Sequence, residues 1–148
     1  MTVPKDISML FDFSLIEKDK RAKDVIPTYL ERQTVLRGII HNIQEQKRAS
    51  LNEIAGLMRC LSFSDEENVR ADALAAICNL GEKRDKEIAI TIASFDENED
   101  VLSVMLEEAN NLESNFFKPI AQRFVSYESG FISDYAKGMI SRSVEENR

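Results

Sequence analysis

Asp96, Asn98, Asp100 and Glu107 stand at positions 1, 3, 5 and 12 of one stretch, the spacing at which a calcium loop between two helices surrounds a hard cation with oxygens. Position 6 of such a loop must turn sharply and takes Gly; here it is Val101. The same residues therefore read better as helix starters, Asp96 accepting a first-turn amide and Glu99 favouring the positive helix end. Other chemistry has less to work with. His41 is the one histidine, and no second His or Cys is placed to chelate with it. Cys60 lies among apolar residues and is expected in the core; Cys78 is expected to be partly exposed, and nothing near it points to an activated thiolate. The five glycines are scattered, so no phosphate-cradling loop forms, and no G-x-S-x-G elbow presents a nucleophilic serine. The expectation is no catalytic residue, no metal and no cofactor.

The elements that position these residues repeat. Setting 51–82, 83–114 and 115–146 beneath one another aligns Ser62 and Phe63 with Ser94 and Phe95 and with Ser126 and Tyr127. Leu57, Ala89 and Ala121 share a column, as do Cys60, Ile92 and Phe124, and Leu61, Ala93 and Val125. Each copy predicts a first helix closed by an aromatic residue, a short acidic turn, and a second helix. Ser64 with Glu67, and Asp96 with Glu99, are the expected capping boxes. Val69, Ala73, Ile77 and Leu80, matched by Val101, Met105, Ala109 and Leu112, give each second helix a buried stripe. Gly81 is expected to end its helix in the left-handed conformation. In the third copy Gly130 falls in the turn and Gly138 in the helix, while Ile132, Ala136, Met139 and Ile140 align after a one-residue slip, a degeneracy expected of an end repeat.

Before the repeats, Ile7, Leu10, Phe11, Phe13, Leu15 and Ile16 predict a short helix over 6–20, followed by a charged turn over 18–24. A second helix is expected from Asp24 to about Lys47 on Ile26, Tyr29, Leu30, Leu36, Ile40 and Ile43, with a point of possible interruption at 32–34. Ser50 and Glu53 predict a capping box for the next helix.

With 148 residues, 43% of them apolar and 30% charged, the chain has enough apolar surface for one self-sufficient core. Two cysteines without a CxxC pair, no signal-peptide pattern and no long uncharged run predict a cytoplasmic protein with no membrane segment. The net charge of -7 is uneven: residues 49–148 hold nineteen Asp/Glu against ten Lys/Arg. From Glu87 to Phe117 there are eight carboxylates and no Lys or Arg, a surface that repels phosphate backbones and attracts a basic protein.

The segment DEENVRADALAAICNLGE resembles the second helix of a HEAT-like repeat, with an acidic turn, Val69 and Arg70, small Ala73 and Ala76, Ile77, and a closing Leu80 and Gly81. The following copy, DENEDVLSVMLEEANNLE, lacks the Arg and the Gly, and the 32-residue spacing is short for the type. The resemblance implies an all-α fold, a single domain over 1–148 built as a short α-solenoid of antiparallel helix pairs, about eight helices in all. N-terminal helices would fill 1–48 and helical hairpins 51–82, 83–114 and 115–146. It also implies a concave face lined by the second helices, whose polar residues are the candidate partner-binding site: Asn68, Asp72, Asn79, Asp100, Ser103, Glu107, Asn111 and Asp134. In size, charge, helical repeats and lack of catalytic residues the chain is similar to bacterial immunity proteins. That similarity implies a non-enzymatic binding protein, monomeric when free, that neutralises a cognate toxin, in particular a basic nuclease. The alternative reading is a HEAT-like adaptor or regulatory subunit of a larger assembly. HEAT-like DNA glycosylases are disfavoured, because they need a basic groove and aromatic residues for a flipped base.

Overall fold

Helix-period apolar stripes separated by short polar turns fold into seven α-helices, with no strand among the described residues. The computed structural model describes residues 29–146. The helices are α1 (Tyr29–Glu45), α2 (Leu51–Phe63), α3 (Glu67–Leu80), α4 (Lys83–Ala93), α5 (Glu99–Ala109), α6 (Ser114–Gln122) and α7 (Gly130–Glu146). The expected helix over 6–20 and the first turn of the one from Asp24 lie outside the described residues. From Tyr29 onward that second helix is continuous through 32–34. It buries Leu36, Ile40 and Ile43 as expected, and Ile39 as well. It is followed by Lys47 at φ 60, a left-handed conformation that reverses the chain before α2.

The capping chemistry follows the sequence in one place and departs from it in three. Ser50 and Glu53 form the capping box of α2, the Ser50 hydroxyl accepting the Glu53 amide at 3.2 Å and the Glu53 carboxylate accepting the Ser50 amide at 3.1 Å. Ser64 does not cap α3. It is the C-cap of α2, and its hydroxyl accepts the amide of Glu66, the actual N-cap residue. Asp96 does not cap α5 either. Asn98 does, taking the amides of Asp100 and Val101 at 2.9 and 3.1 Å, while Asp96 accepts the Asn98 amide at 2.9 Å. Ser64 and Asp96 are equivalent positions, so each repeat turn is closed by a side chain bonded two residues ahead.

Gly81 is the third departure: it sits at φ −82 and ψ 167, an extended conformation open to any residue. Space, not φ, is what calls for glycine. A Cβ there would lie 2.8 Å from the Ile77 carbonyl oxygen and 2.9 Å from the Asp85 Cβ. Asp85 is fixed in turn, because it and Glu82 form a capping box for α4 that the sequence reading missed. Gly81→Ala is therefore expected to destabilise the fold by ~1–3 kcal/mol in urea denaturation, the range for overpacking a site with backbone on one side.

The buried stripes match the repeat columns except at their ends, where Leu80 and Leu112 are half-buried. Val69, Ala73 and Ile77 on α3 are 0% exposed, as are Val101, Met105 and Ala109 on α5. In the third copy Ile132 and Ala136 are also fully buried. The first intrahelical bonds run from Arg70 to Glu66, Leu102 to Asn98 and Ser133 to Ser129, so the last helix starts one residue early in the register, and the slip is structural. On the first helices Leu57, Ala89 and Ala121 are buried, as is Cys60.

Helix α3 is the hub. It packs against its hairpin partner α2, against α1 and α5 to either side, and against α4. Helices α1, α3, α5 and α7 thus lie in a row, each touching the next, while α2 and α4 pack together behind them and α4 and α6 barely touch. One apolar cluster joins all seven, from Leu36 on α1 to Met139 on α7.

Candidate binding surface

The turns between helices of a pair are held by arginines reaching across the repeats. Arg70, at the start of α3, places Nε 2.8 Å and Nη2 3.2 Å from the two carboxylate oxygens of Asp96, and donates from Nη1 to the Ser64 carbonyl at 3.0 Å. The two side chains are only 18% and 12% exposed, so the pair joins two consecutive turns in a largely dry setting. Asp96, the first residue of the calcium-like pattern, is thereby committed to Arg70 and the turn. Among the described residues no group of three or more His, Cys, Asp or Glu could hold a metal ion. Arg123, after α6, repeats the device one copy on: it donates to the Ser94 hydroxyl at 3.0 Å and carbonyl at 3.1 Å, its guanidinium 4.5 Å from the Phe95 ring centroid. Arg142 on α7 donates to the Asn110 carbonyl at 2.7 Å and lies 4.8 Å over the Phe117 ring. The repeat alignment could not show these bonds, because the arginines occupy unrelated columns.

The residues proposed from sequence fall on α3, α5 and α7, three helices that lie side by side. Asn68, Asp72 and Asn79 are spaced by four and seven along α3, a single stripe. Asp100, Ser103 and Glu107 form the corresponding stripe of α5, opposite its buried Val101, Met105 and Ala109, while Asn111 lies in the turn just beyond the helix end. Asn68, Asn79, Asp100, Glu107, Asn111 and Asp134 are exposed, and Ser103 is half-buried. Asp72 differs: its carboxylate is 2.8 Å from Nε of Arg37 on α1, with the two side chains 36% and 54% exposed. Such an exposed pair contributes ~0–1 kcal/mol, whereas the less exposed Arg70–Asp96 pair is joined by two hydrogen bonds.

Polar interactions cross each junction in the row. Arg37 to Asp72 joins α1 to α3. Cys78 on α3 lies within the field of the Glu108 carboxylate on α5, and Arg142 on α7 donates to the Asn110 carbonyl at the end of α5. Cys78 is 7% exposed, more buried than its sequence alignment with Asn110 and Arg142 had indicated. Burial first, then the nearby Glu108 carboxylate, pushes its thiol up to about 12, so it stays protonated and is a poor nucleophile. Glu108 is raised from the ordinary value of 4.5, chiefly by desolvation and next by Glu107, with Lys86 and the Cys78 thiol opposing. The Tyr135 hydroxyl is likewise raised, by burial and then Glu107.

A carboxyl raised on folding binds its proton more tightly in the folded chain. Its stabilising contribution is complete below 4.5 and is lost as pH rises through the higher folded value. Glu108→Gln is accordingly expected to melt higher than the parent near neutral pH and at the same temperature in acid below 4.5. Thermal melts of both chains across that range check the sign.

Comparison with models of protein families, with curated proteins and with solved structures returned no significant match for the chain. No helix among the described residues is long and apolar enough to cross a membrane.

Proposed function

We propose that the chain is a non-enzymatic protein-binding module, a short α-solenoid of HEAT-like hairpins whose row of second helices holds a basic protein partner. The observation that carries this reading is the exposed polar stripe of α5, where Asp100 and Glu107 lie opposite the core on a helix with no Lys or Arg. The net charge of -7 adds steering toward a cationic partner, and the weak Arg37–Asp72 pair adds a carboxylate that a partner's Lys or Arg can take over. In its most specific form the module is an immunity protein. Its carboxylates meet the cations that a basic nuclease toxin turns toward phosphates, and so occlude the toxin's cleft.

The test is capture of the partner from the native organism, followed by calorimetric titration against the parent and the double variant Asp100→Lys, Glu107→Lys. Like charges placed where opposite ones met should weaken binding by roughly a hundredfold or more with the fold intact. Unchanged affinity would sink the second-helix face. A captured toxin encoded beside this chain supports the immunity reading, and a subunit of a standing assembly supports the adaptor reading.

A further inference from the structure

Phe63 and Phe95 occupy equivalent repeat positions at the ends of α2 and α4, yet neither serves the core: they are 51% and 71% exposed. Between them runs an open groove of about 500 Å³, lined by both rings and Arg70 and edged by Asp65, Asp96 and Glu97. Both rings meet an arginine of the chain yet keep much of their surface open, and aromatic residues beside a groove are typical anchors of interfaces.

The protein already shows what these rings accept. The guanidinium of Arg59 lies 5.6 Å from the Phe63 centroid and that of Arg123 lies 4.5 Å from the Phe95 centroid. At the same turn, Asp96 takes the fork of Arg70 through both carboxylate oxygens. An aromatic face with carboxylates at its edge suits arginine better than lysine, because the planar guanidinium stacks on a ring while its fork reaches an acid. Asp96 is already engaged, so the exposed Glu97 supplies the charge at the rim.

We infer that this groove on the turn ridge is an arginine-binding subsite that anchors an arginine-bearing segment of a basic protein partner. The inference rests on the reading of the chain as a protein-binding module and adds to it a second point of contact, away from the second-helix stripe.

The probe is Nα-acetyl-arginine amide, titrated into the ¹⁵N-labelled chain, with the neutral isostere Nα-acetyl-citrulline amide as control. Saturable amide shifts concentrated at 62–65 and 94–97 are expected for the arginine probe alone, with affinity in the ~millimolar range of one exposed cation–π contact plus an ion pair. Phe95→Ala should weaken binding at least threefold, and Glu97→Gln should do so without removing a ring. Phe95→Ala also releases the stacked Arg123, so Glu97→Gln, at an exposed carboxylate, is the variant that should keep the parent spectrum elsewhere. An equal response to citrulline, shifts spread over the second-helix carboxylates, or undiminished binding by both variants would overturn the subsite. The two readings fail separately: a ridge that binds arginine stands even if the double charge reversal leaves partner affinity unchanged, and a silent ridge leaves the second-helix face untouched.

Discussion

Asp96→Ala is expected to destabilise the chain by ~1–3 kcal/mol, the cost of leaving a part-buried hydrogen-bonding charge without its partner. The loss has three parts. Arg70, 18% exposed, keeps its charge in a setting where water reaches it poorly. The Asn98 amide loses the carboxylate oxygen that holds it at 2.9 Å, loosening the residue that caps α5. The link between two successive repeat turns disappears, since Arg70 then holds only the Ser64 carbonyl. Set against a total stability of roughly 5–15 kcal/mol for a domain of this kind, the loss is a sizeable fraction. Urea denaturation measures it directly. The double variant Arg70→Met, Asp96→Ala should recover part of the loss, because no stranded charge remains. Asp72→Ala, which breaks the exposed pair with Arg37, should cost under ~1 kcal/mol. If Asp96→Ala and Asp72→Ala prove equally mild, the contrast between part-buried and exposed pairs drawn above is wrong.

Phe117→Ala is expected to cost ~3–5 kcal/mol, the usual range for emptying a buried aromatic site. Phe117 is 0% exposed and is the largest fully buried side chain among the described residues. It also carries the guanidinium of Arg142, so its removal releases the side chain that ties α7 to the end of α5. The damage should be local before it is global. Helix α6 packs mainly on α7, touches α5 little and α4 barely, so this hairpin is the most separable part of the fold. Hydrogen exchange should show α6 and α7 losing protection in the variant while α3 keeps its own. Uniform loss across all helices would mean that the chain unfolds as one cooperative unit.

Much of the architecture was legible because it is local. The 3.6-residue spacing of Val69, Ala73 and Ile77 against Val101, Met105 and Ala109 depends on nothing outside each helix, and both stripes are buried. The Ser50–Glu53 box is read within four residues and forms. Ser64 and Asp96 misled because a residue able to cap a helix can equally close the turn before it, and Glu66 and Asn98 stand two residues nearer to the helix starts. Gly81 misled because glycine is called for by φ in one setting and by crowding in another, and the crowding comes partly from Asp85 on the next helix.

The candidate surface divides along the same line. That α3 and α5 each carry a polar stripe opposite an apolar one follows from angular arithmetic along a single helix and is readable from residue order alone. Which of those polar groups remain available depends on how neighbouring helices pack. Asp72 meets Arg37 thirty-five positions away, Asp96 meets Arg70 across twenty-six, and Arg142 meets the Asn110 carbonyl across thirty-two. It was also the structure that separated two kinds of aromatic residue. Phe117 is sealed in the core, whereas Phe63 and Phe95 remain open on the turn ridge. Periodicity fixes the direction of a side chain from its own helix axis, but its partner is chosen by where the next helix comes to rest, and one helix carries no information about that.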